Sequence, residues 1–170
     1  MALFALDHNY PALIIDPARA YLADVELVYI EEIDPRLPDF DDDWRVLLAL
    51  HHHDRPWDGM ITNDASILDQ DTELAVLAYT QLTLVAPVAV GHDPVRSTGL
   101  VLSHIENIAN RTTPARPQVW KLAGRTPQGQ HPHLHLEKLA RRAGIDPVEL
   151  RKQAEPARTI LEADPLTLPA

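Results

Sequence analysis

A chain of 170 residues, 45% hydrophobic and carrying a net charge of −10, has the length of one domain with an appendage and enough apolar content for a sizeable core. No apolar run reaches the roughly 18–20 residues of a membrane span, and "MALFALDHNY" has neither a basic leader nor a long apolar stretch, so the expectation is a soluble, cytoplasmic protein without a signal peptide. The lack of Cys excludes disulfides, thiolate metal sites and cysteine catalysis; the acidity excludes general nucleic-acid binding, since affinity for phosphates comes largely from Lys and Arg, and leaves a local basic patch or metal ions as routes to nucleic acid.

Residues 2–7, "ALFALD", read as a short buried strand ending in Asp7. "PALIIDPARAYLA" follows as a helix, with Pro11 tolerated at its start and Pro17 expected to break or restart it. Residues 25–30, "VELVYI", form a second strand with apolar residues at alternate positions. An acidic, Pro-bearing loop, "EEIDPRLPDFDDD", leads to a helix, "DWRVLLALHHH", with Asp41, Asp42 or Asp43 available as cap. "WDGMITND" gives a third strand. "SILDQDTELAVLAYTQ" gives a third helix, its apolar positions 67, 68, 74, 77 and 78 at helical spacing. "LTLVAPVAV" is a fourth strand, and "DPVRSTGLVLSHIENIANR" a fourth helix opened by Asp93 as cap and Pro94 in the first turn.

Four alternations of strand and helix predict an α/β fold, a three-layer sandwich with a central, mainly parallel sheet of 4–5 strands and flanking helices. "QVWKLAG" at 118–124 supplies the fifth, edge strand. The α/β domain spans 1–124. Residues 125–170 form a Pro-rich linker, "RTPQGQHPHLH", and a C-terminal helical extension of two short helices, "LEKLARRAG" and "DPVELRKQAEPAR". The chain has no internal repeat.

In an open α/β sheet, ligands bind beyond the carboxyl ends of the strands. Asp7 and Asp64 end strands one and three, and Asp42 and Asp43 open the helix before strand three, which begins at the same rim if it runs antiparallel to the strands. Clustered carboxylates repel, and a divalent cation relieves them. Mg²⁺ and Mn²⁺ favour oxygen ligands and keep several waters, and a metal-bound water attacks a phosphodiester. The plainer alternatives are helix caps at Asp64 and Asp43, a turn residue at Asp7 and an ordinary β-branched strand residue at Thr62.

The order "FALDHNYP", "DDDWRVLLAL", "GMITNDASIL", "ELAVLAYTQLTLV" over residues 1–110 resembles the PIN-like domain superfamily of metal-dependent nucleases, many of them ribonuclease toxins of toxin–antitoxin pairs. The resemblance implies metal ligation by Asp7, Asp43 and Asp64, with Asp42 replacing Asp43 if the register slips by one, and a positioning hydroxyl at Thr62. Asn9 sits where the family carries a polar residue. A further family acid is missing: Ser66 stands where a second downstream Asp belongs, Glu31 or Glu32 matches it loosely, and Asp69 and Asp71 lie farther into the next helix. The expected activity is a PIN-like ribonuclease using Mg²⁺ or Mn²⁺, with an RNA substrate, an antitoxin partner where the chain is a toxin, and a homodimer as in many relatives. Two alternatives stand beside it: a catalytically inactive PIN-like interaction module, and a receiver-like phosphoacceptor domain, suggested by Lys121 on a late strand.

The remaining candidates have plain readings. His51, His52 and His53 end a helix and point in three directions; His131, His133 and His135 face one side only if extended; His8 is a rim residue. Arg96, Lys121, Arg125, Arg141, Arg142, Arg151 and Lys152 are the candidates for RNA contact, against a solvated helical face. Trp44 and Trp57 read as core.

Overall fold

The computed structural model describes residues 1–8, 10–88, 90, 93–112, 116–123 and 126–167. Its strands are β1 (Ala2–Leu6), β2 (Val25–Tyr29), β3 (Gly59–Ile61), β4 (Thr83–Pro87), β5 (Gln118–Leu122) and β6 (Gly129–Gln130). They form one sheet in the order β2-β1-β3-β4-β5-β6, parallel through β5, with β6 antiparallel on the edge. The helices are α1 (Ala12–Arg19), α2 (Ile30–Ile33), α3 (Asp43–His52), α4 (Asp71–Tyr79), α5 (Pro94–Ala109), α6 (Pro132–Ala143), α7 (Pro147–Ala154) and α8 (Arg158–Leu161). This is the α/β sandwich expected from the sequence, with one more edge strand. None of the described helices is long and apolar enough to cross a membrane.

Side-chain alternation divides each strand between two cores. Leu3, Ala5, Met60, Leu84 and Val119 face the layer of α3 and α4; Phe4, Leu6, Ile61, Val85 and Trp120 face α1 and α5. Central β4 is buried at every position, whereas edge strand β2 alternates buried and half-buried residues. Gly59, in β3 between β1 and β4, has no room for a side chain: a Cβ would collide with the Thr83 carbonyl oxygen and reach Phe4 Cε1 at 2.9 Å. Gly59→Ala is expected to lower stability by about 1–3 kcal/mol through overpacking, read by urea denaturation.

Local details differ from the expectations. Pro17 does not break α1; it sits near the end of the helix, and the carbonyl it leaves without a donor belongs to Leu13, whose 93% exposure lets water serve it. The acidic loop holds α2 and a 3₁₀ turn at Leu37–Asp39, pinned by buried Ile30 and Leu37. The helix expected over 66–81 is two elements: extended Gln70 (φ −104°, ψ 123°) separates a 3₁₀ turn, Ala65–Asp69, from α4. "HPHLH" is not linker. Pro132 takes the first position of α6, and His131 Nδ1 caps it by accepting from the His133 backbone N–H at 3.2 Å.

The C-terminal extension folds onto the α3–α4 layer. Leu136, Ala154 and Leu161 join the same buried cluster as Leu74 and Leu77. Arg142 Nη1 reaches Asp69 Oδ1 at 2.9 Å, Arg36 Nη1 donates to the Leu166 carbonyl at 2.8 Å, and His52 Nε2 meets the Leu161 carbonyl at 2.8 Å. His135 is buried within this contact, and its Nε2 finds no partner among the described residues. Burial, then the charges of Lys121 and Lys138, push its imidazole down to about 4. Above that value it is neutral in the fold, while the unfolded chain takes up a proton below about 6.5. Stability is therefore lost as pH falls from about 6.5 toward 4. His135→Leu is expected to flatten that part of the pH–stability curve, measured by thermal melts at pH 7, 6 and 5.

Candidate functional site

The sheet order places the topological switch between β1 and β3, and in open α/β sheets ligands bind past the strands' carboxyl ends at such a point. Asp7 is the first residue past β1. Its N–H donates to the Ile61 carbonyl at 3.0 Å, and the Thr62 N–H donates to Val85 at 3.0 Å, so both residues extend the ladder by one step. Thr62 Oγ1 then donates to Asp7 Oδ2 at 3.1 Å and accepts the Asp64 N–H at 3.0 Å. One buried hydroxyl thus aims the Asp7 carboxylate and fixes the turn bearing Asp64. The other Asp7 oxygen lies 2.8 Å from Nδ1 of exposed His8. Asp7 is 6% exposed and Thr62 1%.

Asp43 is the first residue of α3; Asp42 occupies the cap position without making a side-chain cap bond. The Asp43 carboxyl is held above its ordinary pKa, first by burial and then by the charges of Asp7 and Asp64, with His8 opposing and Asp42 adding to the rise. The fold therefore places Asp43 within electrostatic reach of Asp7 and Asp64, which come from two other elements, and of its neighbour Asp42. Asp64 is exposed and caps the 3₁₀ turn: Oδ1 accepts the Ser66 N–H and Oδ2 the Ser66 hydroxyl, both at 2.8 Å. The cap and the acid cluster are compatible, because the same carboxylate does both.

Glu73 is the acid that sequence reasoning missed. It lies in the first turn of α4, 5% exposed. Its carboxyl is pushed up by burial and then, against its own backbone N–H, by Asp43, Asp42 and Asp71. With its amide nitrogen turned toward α4, Gln70 donates to both Glu73 oxygens, at 3.0 and 3.3 Å. Glu31 and Glu32 are not among the charges acting on Asp43, and Glu32 instead pairs with Arg19 at 3.2 Å. A run of Asp71-Thr72-Glu73 opening a helix was the available signal, since acids gather in first turns. Beyond Glu73 a groove of about 630 Å³ runs between Asp42, Asp69 and Glu73 on one side and Leu139, Arg142 and Leu150 of the extension on the other.

Behind the rim, the buried Tyr10 hydroxyl donates to the Thr62 carbonyl at 3.2 Å, and its pKa is raised, mainly by burial. Ser97 of α5 donates to Asn63 Oδ1 at 2.5 Å. These bonds tie the helix layer to the loop that carries Asp64. Asn9 and Arg125, with residues 89, 91–92, 113–115, 124 and 168–170, lie outside the described residues.

The other candidates disperse. His51 stacks edge-on with Tyr79, His52 meets Leu161, and His53 Nδ1 accepts the Arg55 N–H. His131 caps α6, His133 is half-buried and His135 is in the core. Arg141 and Arg142 pair with Glu137 and Asp69, while Arg96 and Lys152 are exposed. Lys121 has its pKa lowered by burial and then by Lys138; its other charged neighbours are Asp69 and Arg142, not the rim acids. Trp44 and Trp57 pack against the α3–α4 core.

The chemistry of the rim is that of hard oxygen donors, which fits Mg²⁺ or Mn²⁺. Among the described residues no three His, Asp or Glu side chains stand close enough to enclose an ion. The donor chemistry of Asp7, Asp43 and Asp64 suits a hard cation, but their placement in this fold does not by itself form a metal-holding group. No family model, curated protein or solved structure matches the chain significantly.

Proposed function

We propose that this chain is a metal-dependent ribonuclease of PIN-like type. The observation that carries the reading is the coupling of Asp7, Asp43 and Asp64 at the switch point, with Asp43 held above its ordinary pKa by burial and by the other two. In this reading Asp7, Asp43 and Asp64 hold Mg²⁺ or Mn²⁺, with Asp42 at the margin. The ion, when bound, supplies an activated water and stabilises charge on the phosphoryl oxygens of an RNA phosphodiester. Thr62 aims the Asp7 carboxylate and holds the turn that bears Asp64. An antitoxin partner, toxin membership, a homodimer and a cytoplasmic site belong to the same proposal.

Calorimetry of Mn²⁺ binding to the wild type and to Asp64→Asn tests it. Asn keeps an acceptor for the Ser66 N–H and removes the charge. Mn²⁺ binding by the wild type, lost in a variant that still folds, supports ligation; equal binding by both removes Asp64 from the site. Cleavage of single-stranded RNA then tests the reaction.

One observation favours a second reading. Both Asp64 oxygens are already occupied by Ser66, as suits an inactive PIN-like interaction module; such a module binds no Mn²⁺. The receiver-like reading shares the strand order 2-1-3-4-5, but Lys121 faces Lys138 and Asp69, and β4 ends in Ala86-Pro87 without a hydroxyl. Acetyl phosphate labelling separates it from the other two.

A further inference from the structure

The chain has 25 acidic residues, yet none falls between 107 and 136, a stretch that carries Arg111, Arg116, Lys121 and Arg125. The fold gathers two of these cations around one surface pocket of about 700 Å³. Arg111 follows α5, Arg116 precedes β5, Gln118 and Trp120 belong to β5, Gly129 to β6, and His131 caps α6. Among the described residues no carboxylate lines the pocket. Among the described residues neither guanidinium has an ion-pair partner, although Arg19, Arg36, Arg55, Arg141, Arg142 and Arg158 all do.

The pocket is built on a fixed frame. Gln118 Nε2 donates to the Arg111 carbonyl at 3.2 Å, and Gln118 Oε1 accepts the Trp120 indole N–H at 2.8 Å. This ties the end of α5 to the sheet edge. Gly129 lets β6 lie against that frame, since a Cβ there would come within 2.8 Å of the Trp120 ring. His131 Nδ1 accepts the His133 N–H, so in the neutral ring the other nitrogen carries the proton and is a donor. Two guanidiniums and one imidazole N–H make a set of donors with no competing acid, in a volume within the range of small-ligand sites.

We propose that this pocket binds a phosphate group, carried by a mononucleotide or by an RNA strand. Arginine forks match phosphate oxygens in pairs, and an acid-free patch on a protein of net charge −10 is where an anion gains most. The site stands apart from the acid rim: Arg116 and Gln118 lie at the amino end of β5, whereas Asp7 and Asp64 follow the carboxyl ends of β1 and β3. It needs no metal, and it survives if the ribonuclease reading fails.

The test is anisotropy of a fluorescein-labelled single-stranded decaribonucleotide, in EDTA at about 50 mM salt. Unlabelled decamer, uridine monophosphate and uridine serve as competitors. Arg111→Gln/Arg116→Gln is expected to weaken binding about tenfold or more and to reduce the slope of log K against log salt by about 1.4, the value for two phosphate contacts on a single strand. Arg55→Gln/Arg158→Gln, which removes two exposed charges elsewhere, is expected to change binding less than threefold. The monophosphate should displace the probe and uridine should not. Displacement by the monophosphate at concentrations comparable to the decamer assigns the pocket to free nucleotides; displacement by the decamer at far lower concentration assigns it to a strand. Absence of probe binding to wild type, equal binding by the Arg111/Arg116 variant, equal loss in the control variant, or competition by uridine equal to the monophosphate each overturns the proposal. Mn²⁺ calorimetry on the same samples reports separately on the acid rim.

Discussion

Asp43→Asn is expected to raise the melting temperature of the metal-free protein at neutral pH while abolishing its response to Mn²⁺. The Asp43 carboxyl has its pKa raised in the fold, first by burial and then by Asp7 and Asp64. The native state therefore binds that proton more tightly than the unfolded state, and stability is lost as pH rises from the ordinary carboxylate range through the folded value. The fold bears this cost in full once the pH lies above the folded value. Asn removes the charge and the cost together, so the gain should fade as pH falls to the point where the wild-type carboxyl is itself protonated. Metal should reverse the ranking: a ligand at 100 times its Kd stabilises the binding-competent fold by about 2.7 kcal/mol, and the variant should gain none of it. If the chain is the ribonuclease proposed above, RNA cleavage should fall about 100-fold or more, since even outer-shell changes at metal sites cost 10–100-fold. The opposite sign is equally informative. If Asn lowers the melting temperature of the metal-free protein, Asp43 acts chiefly on the α3 dipole, and the acid rim is a set of caps.

The parts of this fold that were legible are those set by local periodicity. "ALFALD" and "VELVYI" alternate or run apolar over whole strands, and Asp93-Pro94 opens α5 as such pairs do, with Asp93 Oδ1 accepting from Val95 and Arg96 at 3.1 Å. The convergence of Asp7 and Asp64 followed from the same reading, because parallel strands put their ends on one rim. What escaped depends on partners distant in sequence. Gln70 interrupts an apolar helical pattern only because the chain must turn between the Asp64 cap and the buried first turn of α4, and that break is what carries Glu73 to Asp43. β6 has two residues and no pattern of its own; it exists because Gly129 fits over Trp120. Arg111 and Arg116 were not among the cations singled out from the sequence, for the same reason: only the β5–β6 edge sets them around one pocket. His131 shows the limit from the other side: "HPHLH" has the composition of a linker, but Pro132 suits the first position of a helix and His131 supplies the cap.

Leu136→Ala is expected to cost about 2–5 kcal/mol and to lower the melting temperature of the whole protein in a single transition. Leu136 is 1% exposed and belongs to the cluster that holds Leu47, Leu74 and Leu77 together, so its loss leaves a cavity that helices on both sides must bridge. At about 2–4 °C per kcal/mol for a chain of this size, the shift is roughly 4–20 °C. Leu134, two residues earlier in α6 and 45% exposed, is the control, and Leu134→Ala should be close to neutral. The shape of the melt matters as much as its midpoint. Were the extension an independent appendage, Leu136→Ala would produce an early minor transition and leave the main one in place. A single shifted transition follows instead if α6 to α8 share their core with α3 and α4, as Leu136, Ala154 and Leu161 do. The same docking builds the wall of the groove beside Asp42 and Glu73, so a chain that loses its extension also loses the surroundings that desolvate Glu73.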